Sequence, residues 1–549
     1  MKKYGWLVVG ILGCLVIAAV GYFGATGLMD SVFNYRSQLK DTPPAPGAAL
    51  GEPLTRRVVI VLIDALRTDT AANEAVMPYL NQLRGQAATA TMHSQPPSYS
   101  EPGYTTILTG AWPEINDGPA VNLDYEDIPT FTQDNIFSAA HRAGMQTAIS
   151  GYYWFEKLVP QEAVDAGFYT PGEDAAADQE VMNAALTMLA GDYQLVLIHL
   201  DQVDYAGHHE GGPRDPRWDA AAARCDNYLR QIVSALDLSQ DTVIVLSDHG
   251  QIDRGGHGGP ELITLREPFV MVGAGVKPGS YPDIQMVDVA PTIAALLGTN
   301  IPATNQGHAL IDMLKLSDAQ AAVIHDAMAY QQIQLEQAYI PAIGERATKV
   351  VVGPGQDVVN IYQEAMDAAR AQRLFRERTW RGLAALLLAA IPAAVLFLKR
   401  GRKIAWLLAG ALLYVLLFNL RYAVLDGRTY SLSSVESQTW IITYTATTAL
   451  IALVIAWLVA MLTLRAFRLG PGGAAKTSLG FVFITIYLLA LPVLVSFALN
   501  GPLVTWTLPE FYTSYIALQS LIQWIIVAAA GLVLTGISAG IARLVAKRT

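Results

Sequence analysis

Cysteine is almost missing from this chain, and its scarcity excludes one class of fold at once. Only Cys14 and Cys225 occur among 549 residues. Cys14 sits inside a long apolar run, so no disulfide framework can hold the chain together. Charge is scarce as well: Asp, Glu, Lys and Arg make up 15% of the residues, against 52% hydrophobic ones. A chain this long is too large for one domain, and one so poor in charge is too apolar to be wholly soluble, so part of it belongs in a membrane. A basic excess is lacking too. The formal net charge of -10 argues against a general nucleic-acid binder, which needs basic faces against phosphates. An anionic substrate would have to be met by local positive charge, such as metal ions. Internal repeats and low-complexity tracts are also lacking.

What the chain does have is a succession of apolar runs. Gly5 to about Leu28 is long enough, at roughly 20 residues, to span a bilayer. With Lys2 and Lys3 before it, residues 1–28 read as a signal anchor whose N-terminus is cytoplasmic, cleavage after Ala25 being the alternative. Residues 29–56 contain DTPPAPGAALGEP, a stretch without periodicity that reads as a linker. From 57 to 362 short apolar runs such as LVLIHL, TVIVLS and PFVMVGAGV alternate with amphipathic stretches. That alternation predicts an α/β domain, a mostly parallel sheet with helices on both faces. Residues 363–382 are Arg-rich and read as a basic juxtamembrane segment on lipid headgroups, with contact to a phosphate-bearing substrate as the alternative. Residues 383–549 carry five more apolar runs, near 383–398, 404–425, 440–464, 479–499 and 515–545, which predict a helical transmembrane bundle. The loops 398–403 and 464–476 and the C-terminal tail are basic. This bias places both termini in the cytoplasm and the α/β domain outside it, in a plasma-membrane protein of six spans.

Chemistry gathers where the predicted strands end. The run VVIVLIDALRTD stops on Asp64, LVLIHL leads to Asp201 and Asp204, and TVIVLSDHG leads to Asp248 and His249. Open α/β sheets place their chemistry at such C-terminal edges. One strand ending in Asp would be an ordinary turn or cap, but three repeat the design. DYAGHHEGG places His208 four residues after Asp204, and DRGGHGGP adds His257. In PPSYSEPGYTTILTG, Ser100 opens a helix-like run, either as a plain capping serine or as a hydroxyl nucleophile. These oxygen and imidazole groups suit two divalent ions, zinc by ligand type with manganese as the alternative. Two such ions polarise a phosphoryl oxygen and activate a hydroxyl.

The ordered set Asp64, Ser100, D-x-x-x-H at 204–208, D-H-G at 248–250 and His257 resembles the alkaline phosphatase superfamily, over roughly Arg57 to Ile311. Within it the chain is most similar to the type I phosphodiesterase and nucleotide pyrophosphatase group, and in particular to the GPI ethanolamine phosphate transferases. The local matches are SEPGY after the nucleophile, G-x-x-W-x-x-L-x-P at Gly151 to Pro160, GGHGG at 255–259, MVDVAPTIAALLG and IPATNQG. The five C-terminal runs are fewer than those enzymes carry, which implies a shorter, prokaryotic relative. The C/S-x-P-S-R signature of sulfatases is missing. The resemblance implies that Asp64, Ser100, Asp248 and His249 hold one ion, that Asp204, His208 and His257 hold the other, and that Ser100 forms a covalent phospho-enzyme. It implies a membrane-bound, metal-dependent phosphodiesterase or phosphotransferase acting on a phosphodiester, such as a lipid headgroup carrying phosphoethanolamine. A nucleotide pyrophosphatase or phosphatase is the alternative enzyme, and a lipid-binding or transport bundle with a degenerate ectodomain is the non-enzymatic one. Trp154 and Tyr104 are the candidate substrate contacts, the former against core packing. Ser98 is the alternative nucleophile and His308 the alternative to His257. His199 reads as a core histidine, His209 as solvent-facing, and Asp69 and Asp201 as turn carboxylates or supports of the ligands.

Overall fold

The computed structural model describes residues 5–347, 349–353 and 355–547. Lys2 and Lys3, on which the orientation of the first span partly rests, and Arg548 in the basic tail lie outside the described residues. The chain divides into two compact units: Phe33–Arg373, and the residues up to Val32 together with those from Leu374 on.

The Phe33–Arg373 unit is the predicted α/β domain. Its strands are β1 (Arg57–Ile63), β2 (Ala88–His93), β3 (Thr147–Tyr152), β4 (Ala166–Thr170), β5 (Leu195–Leu200), β6 (Asp241–Leu246), β7 (Arg266–Gly273), β8 (Gly279–Ser280) and β9 (Ile284–Gln285). They form one sheet in the order β4-β3-β5-β1-β6-β7-β2-β8, with β9 also on β2. The five strands from β4 to β6 are mutually parallel, while β7 runs antiparallel to both β6 and β2. Every residue of β1 is buried, as a strand sandwiched between two helical layers must be. Val59, Val61 and Ile63 pack with Met182, Trp218 and Leu229 from the helices Ala175–Leu189 and Pro216–Ser234. The helix Val289–Leu297 also packs against β1. This is the mostly parallel, doubly covered α/β domain predicted from the alternation of apolar runs.

Two boundaries differ from expectation. The stretch before residue 57 is docked rather than free. Tyr35 and Leu39 are buried, Arg36 pairs through two nitrogens with Asp117 at 2.9 and 2.5 Å, and the amide of Leu54 donates to Leu296 O at 2.8 Å. Composition without periodicity hid these individual bonds. The Arg-rich segment does not stand apart either, because the helix Val358–Leu398 runs through it unbroken. Arg370 pairs with Glu114 at 2.5 Å and Arg373 donates to Ile343 O at 2.6 Å. Arg378 donates to Leu499 O at 3.0 Å, and Arg381 pairs with Glu377 at 2.6 Å. Protein groups hold these guanidinium groups.

In the other unit, helices long and apolar enough to cross a membrane are Gly5–Phe33, Val358–Leu398, Arg402–Leu425, Gln438–Thr463, Gly470–Asn500 and Phe511–Ala546. Each overlaps one of the six predicted spans, and only the run 440–464 reaches beyond its helix, by one residue. Their extra turns are amphipathic or capped ends, which a hydropathy reading truncates.

Candidate metal centre and nucleophile

Parallel strands deliver their C-terminal ends to one edge. Ile63 lies level with Leu200, and Leu62 with Leu246, so Asp64, Asp201 and the Asp248–His249 pair emerge side by side. Asp204 and His208 occupy one face of the helix Gln202–His209, one turn apart, with His208 Nε2 3.5 Å from Asp204 Oδ2.

Donor atoms of Asp204, His208 and His257 all lie within 4.8 Å of one another, and so do those of Asp64, Asp204 and His249. Asp204 thus borders both groups instead of serving one alone. The histidine tautomers follow from their outer bonds. His257 Nδ1 donates to Ser98 O at 2.9 Å, and His249 Nδ1 to Gly250 O at 3.1 Å. The Nε2 lone pairs therefore face inward. His257 Nε2 lies 2.9 Å from His208 Nε2. His249 Nε2 lies 3.1 Å from Ser100 Oγ and 3.4 Å from both Asp64 Oδ1 and Asp248 Oδ2. These last two oxygens are buried and accept no hydrogen bond. Lone pairs converging on one another, with orphaned carboxylate oxygens among them, are what a cation would satisfy, and the residues present fit divalent ions.

Electrostatics agree with that fit. Burial, reinforced by Asp204, pushes the Asp64 pKa well up, and burial with Asp64 does the same to Asp248. Burial alone would raise Asp204, but His208, His257 and His249 together hold it below the usual carboxylate value. Burial lowers His257 to about 4 and, with His257 beside it, pushes His249 well down. Both imidazoles are therefore neutral at pH 7, the form that binds metal.

Ser100 is the first residue of the helix Ser100–Thr109, preceded by extended Tyr99. Gly103 lets this helix lie against Asp248, because a Cβ there would come within 2.8 Å of Asp248 Cβ and 3.0 Å of its carbonyl oxygen. Ser98 is occupied otherwise. Its hydroxyl donates to Gly259 O at 3.0 Å and accepts from the Gly258 amide at 2.9 Å, pinning the histidine-bearing loop. Gly258 has a φ of +103°, and a Cβ on it would stand 2.4 Å from the Tyr99 ring.

The remaining candidates scatter. Tyr104, expected to touch substrate, is 1% exposed, and its hydroxyl donates to Asp64 Oδ2. The helix Ser100–Thr109 turns this side chain inward, so it is a positioning residue for Asp64. His199 is buried as predicted, yet its Nε2 lies 3.0 Å from the same Asp64 oxygen, and the Tyr152 amide meets its Nδ1 at 3.4 Å. Trp154 is half-buried, its ring edge-on to Tyr152 at 4.9 Å. His308 is not brought to the cluster; its Nε2 meets Asp357 at 2.9 Å. His209 is exposed, against Tyr205 at 4.7 Å, and Asp69 pairs with Arg67 at 2.5 Å. Sequence reasoning missed Gln251, whose amide donates to the Asp204 carboxylate and, at 3.3 Å, to its backbone oxygen. The only signal was its place two residues after His249. Gly207 makes room for it, since a Cβ there would fall 1.7 Å from Gln251 Oε1.

Residues 58–117 and 122–370, more than half of the chain, match the family model of type I phosphodiesterase / nucleotide pyrophosphatase. The chain belongs to that family. Among curated relatives, human GPI ethanolamine phosphate transferase 2, catalytic subunit, is 26% identical over 302 residues, which is 50% of this chain and 30% of the human one. Human GPI ethanolamine phosphate transferase 3, catalytic subunit, is 26% identical over 319 residues, 51% of this chain and 29% of the relative. The match thus spans under a third of these relatives. Among solved structures, murine ectonucleotide pyrophosphatase / phosphodiesterase 5 aligns with a TM-score of 0.38 at 13% identity, covering 45% of this chain and 96% of the murine one. The family expected from the motifs is the family found.

Proposed function

We propose that this protein cleaves or transfers a phosphodiester through Ser100, with two divalent cations held by the side chains around it. Asp64, Asp248 and His249, together with Ser100, would hold one cation, and Asp204, His208 and His257 the other, zinc by donor type with manganese as the alternative. When bound, the cations supply positive charge against the phosphoryl oxygens and favour the ionised hydroxyl. The observation that carries the reading is the convergence of orphaned Asp64 Oδ1 and Asp248 Oδ2 with His249 Nε2 on Ser100 Oγ.

The chain's own residues then divide the work. Ser100 Oγ attacks phosphorus, a bond from Oγ to phosphorus forms, the bond to the departing alcohol breaks, and the serine proton leaves with that alcohol or to water. An acceptor hydroxyl, or water, next attacks phosphorus, and Ser100 regains a proton as it departs. Tyr104, His199 and Gln251 keep Asp64 and Asp204 in place. The similarity to phosphoethanolamine transferases and the membrane spans favour a lipid headgroup as the diester, and the family's nucleotide pyrophosphatases supply the second reading. Convergence of all seven candidate ligands argues against a degenerate, non-catalytic ectodomain.

Release of p-nitrophenol from bis(p-nitrophenyl) phosphate by the detergent-solubilised protein tests the reading. Turnover is expected to vanish in Ser100→Ala and on chelation, and to return when the metal is restored. Unaltered turnover in Ser100→Ala would remove the serine from the reaction, and indifference to chelation would remove the metals.

A further inference from the structure

Away from the sheet edge, the Phe33–Arg373 unit contains a cavity of about 770 Å³ that the proposed reaction leaves unused. We propose that this cavity binds the hydrocarbon chain of an amphiphile whose head is uncharged and hydroxylated, at a site separate from Ser100.

Three pieces of chain build the cavity. The helix Asp318–Ala342 contributes one face, on which His325, Ala329 and Ile333 follow at intervals of four with Ile324 and Met328 beside them. The start of the helix Val358–Leu398 adds Val358, Val359 and Tyr362, while Ile311 and Val352 come from the segments before the two helices. Ile324, Met328 and Val359 are at most 4% exposed, so the apolar wall reaches into the core. The volume is that of a small-molecule site.

Position separates the cavity from the catalytic edge. The amide of Gln306 donates to Gly110 O at 2.6 Å, and Gly110 closes the helix that Ser100 opens. His308, on the cavity wall, follows Gln306 by two residues. It is therefore anchored at the far end of a ten-residue helix, roughly 15 Å long.

The lining selects the occupant. Among the described residues, those lining the cavity include no Lys or Arg, so nothing on the wall would neutralise an anion. The one lining acid is already engaged through both oxygens. Asp357 Oδ1 accepts from the Val359 and Asn360 amides at 3.0 and 3.3 Å, and Oδ2 accepts from Asn360 Nδ2 at 3.1 Å and meets His308 Nε2 at 2.9 Å. A cation would find that carboxylate taken. His325 and Gln356 supply hydrogen-bonding groups that suit hydroxyls. Apart from the two imidazoles, Tyr362 is the single ring in the lining, so the walls suit a flexible aliphatic chain rather than a stacked base, and Met328 adapts to its shape. Apolar surface continues outside, where Val351 is 72% and Val323 45% exposed. A hydrocarbon chain would take this surface out of water, and the six apolar helices would keep the protein beside a store of such amphiphiles.

The test uses the full-length protein in phosphatidylcholine nanodiscs and a monoacylglycerol that carries a photoreactive diazirine in its chain and an alkyne tag. After irradiation, digestion and mass spectrometry, saturable label is expected on peptides covering 318–342 and 352–362. Unlabelled monooleoylglycerol should compete. Oleyl phosphate and oleyltrimethylammonium, with the same chain and a charged head, should need about tenfold higher concentration, because neither charge gains a partner on the wall. Ala329→Trp fills the cavity with an indole and should abolish the saturable label. Val352→Asp places a charge on the partly exposed side of the lining, so it carries the test even where Ala329→Trp does not fold. Label that never saturates, that is confined to the membrane spans, or that is unchanged in both variants would overturn the inference. So would equal competition by either charged amphiphile, which would show that the lining does meet a charge.

Discussion

Asp64 has two carboxylate oxygens with opposite fates. Oδ2 is taken by Tyr104 and His199, and Oδ1 is left bare towards His249 and Ser100. Supports of this kind fix the direction of a ligand's lone pair, and removing one costs about 10- to 100-fold in metal affinity. His199→Phe keeps a ring in the core while withdrawing the hydrogen bond. It is expected to need at least about tenfold more free metal for half-maximal turnover, with activity recovered at saturation. An unchanged metal requirement would reduce His199 to packing. The strand-interior position of His199 was legible from LVLIHL, but its partner Asp64 was not, because that contact forms only when β1 pairs with β5, far away in sequence. Gln251 escaped for the same reason, since its bond to Asp204 joins two strand ends distant in sequence.

At the scale of elements, the helix Ser100–Thr109 is held against the third strand end by the absence of a side chain at residue 103. Gly103→Ala would drive the helix off Asp248, where a Cβ finds atoms at 2.8 and 3.0 Å. A misplacement of about 1 Å at a nucleophile can reduce turnover about 100-fold. That loss is expected here with the circular dichroism spectrum unchanged, and wild-type turnover would show that the contact relaxes freely. The docked stretch before β1 allows a stability test. Asp117 is fully buried and also accepts from the Ser37 amide at 3.1 Å and Thr132 Oγ1 at 2.9 Å. Arg36→Ala leaves that carboxylate without its cation, a loss of about 3 kcal/mol, to be read as a lowered melting temperature of the purified protein. An unmoved transition would make the stretch the free tether its Pro/Gly/Ala composition suggests. Strand ends, spans and the glycine-flanked histidines were legible because periodicity and spacing encode them. The docking of residues 33–56 was not, because single bonds to distant loops leave no periodic trace.

At the scale of the whole molecule, the six apolar helices and the distribution of Lys and Arg carry a prediction about sidedness. Lys399, Arg400, Arg402 and Lys403 cluster where the second span gives way to the third, and Arg465, Arg468 and Lys476 where the fourth gives way to the fifth, whereas 501–510 contains no Lys or Arg. Basic loops are retained in the cytoplasm, which predicts that 501–510 and the α/β unit are reached from the outer side. Both natural cysteines are buried, so introduced thiols report on their own positions. Ala319→Cys in the α/β unit and Leu503→Cys, both at exposed positions, are expected to react with a membrane-impermeant maleimide on intact cells. Gly401→Cys, also exposed, should react only after permeabilisation. Labelling of Gly401→Cys on intact cells would invert the topology, and would place the Ser100 chemistry in the cytoplasm with a different pool of phosphodiesters.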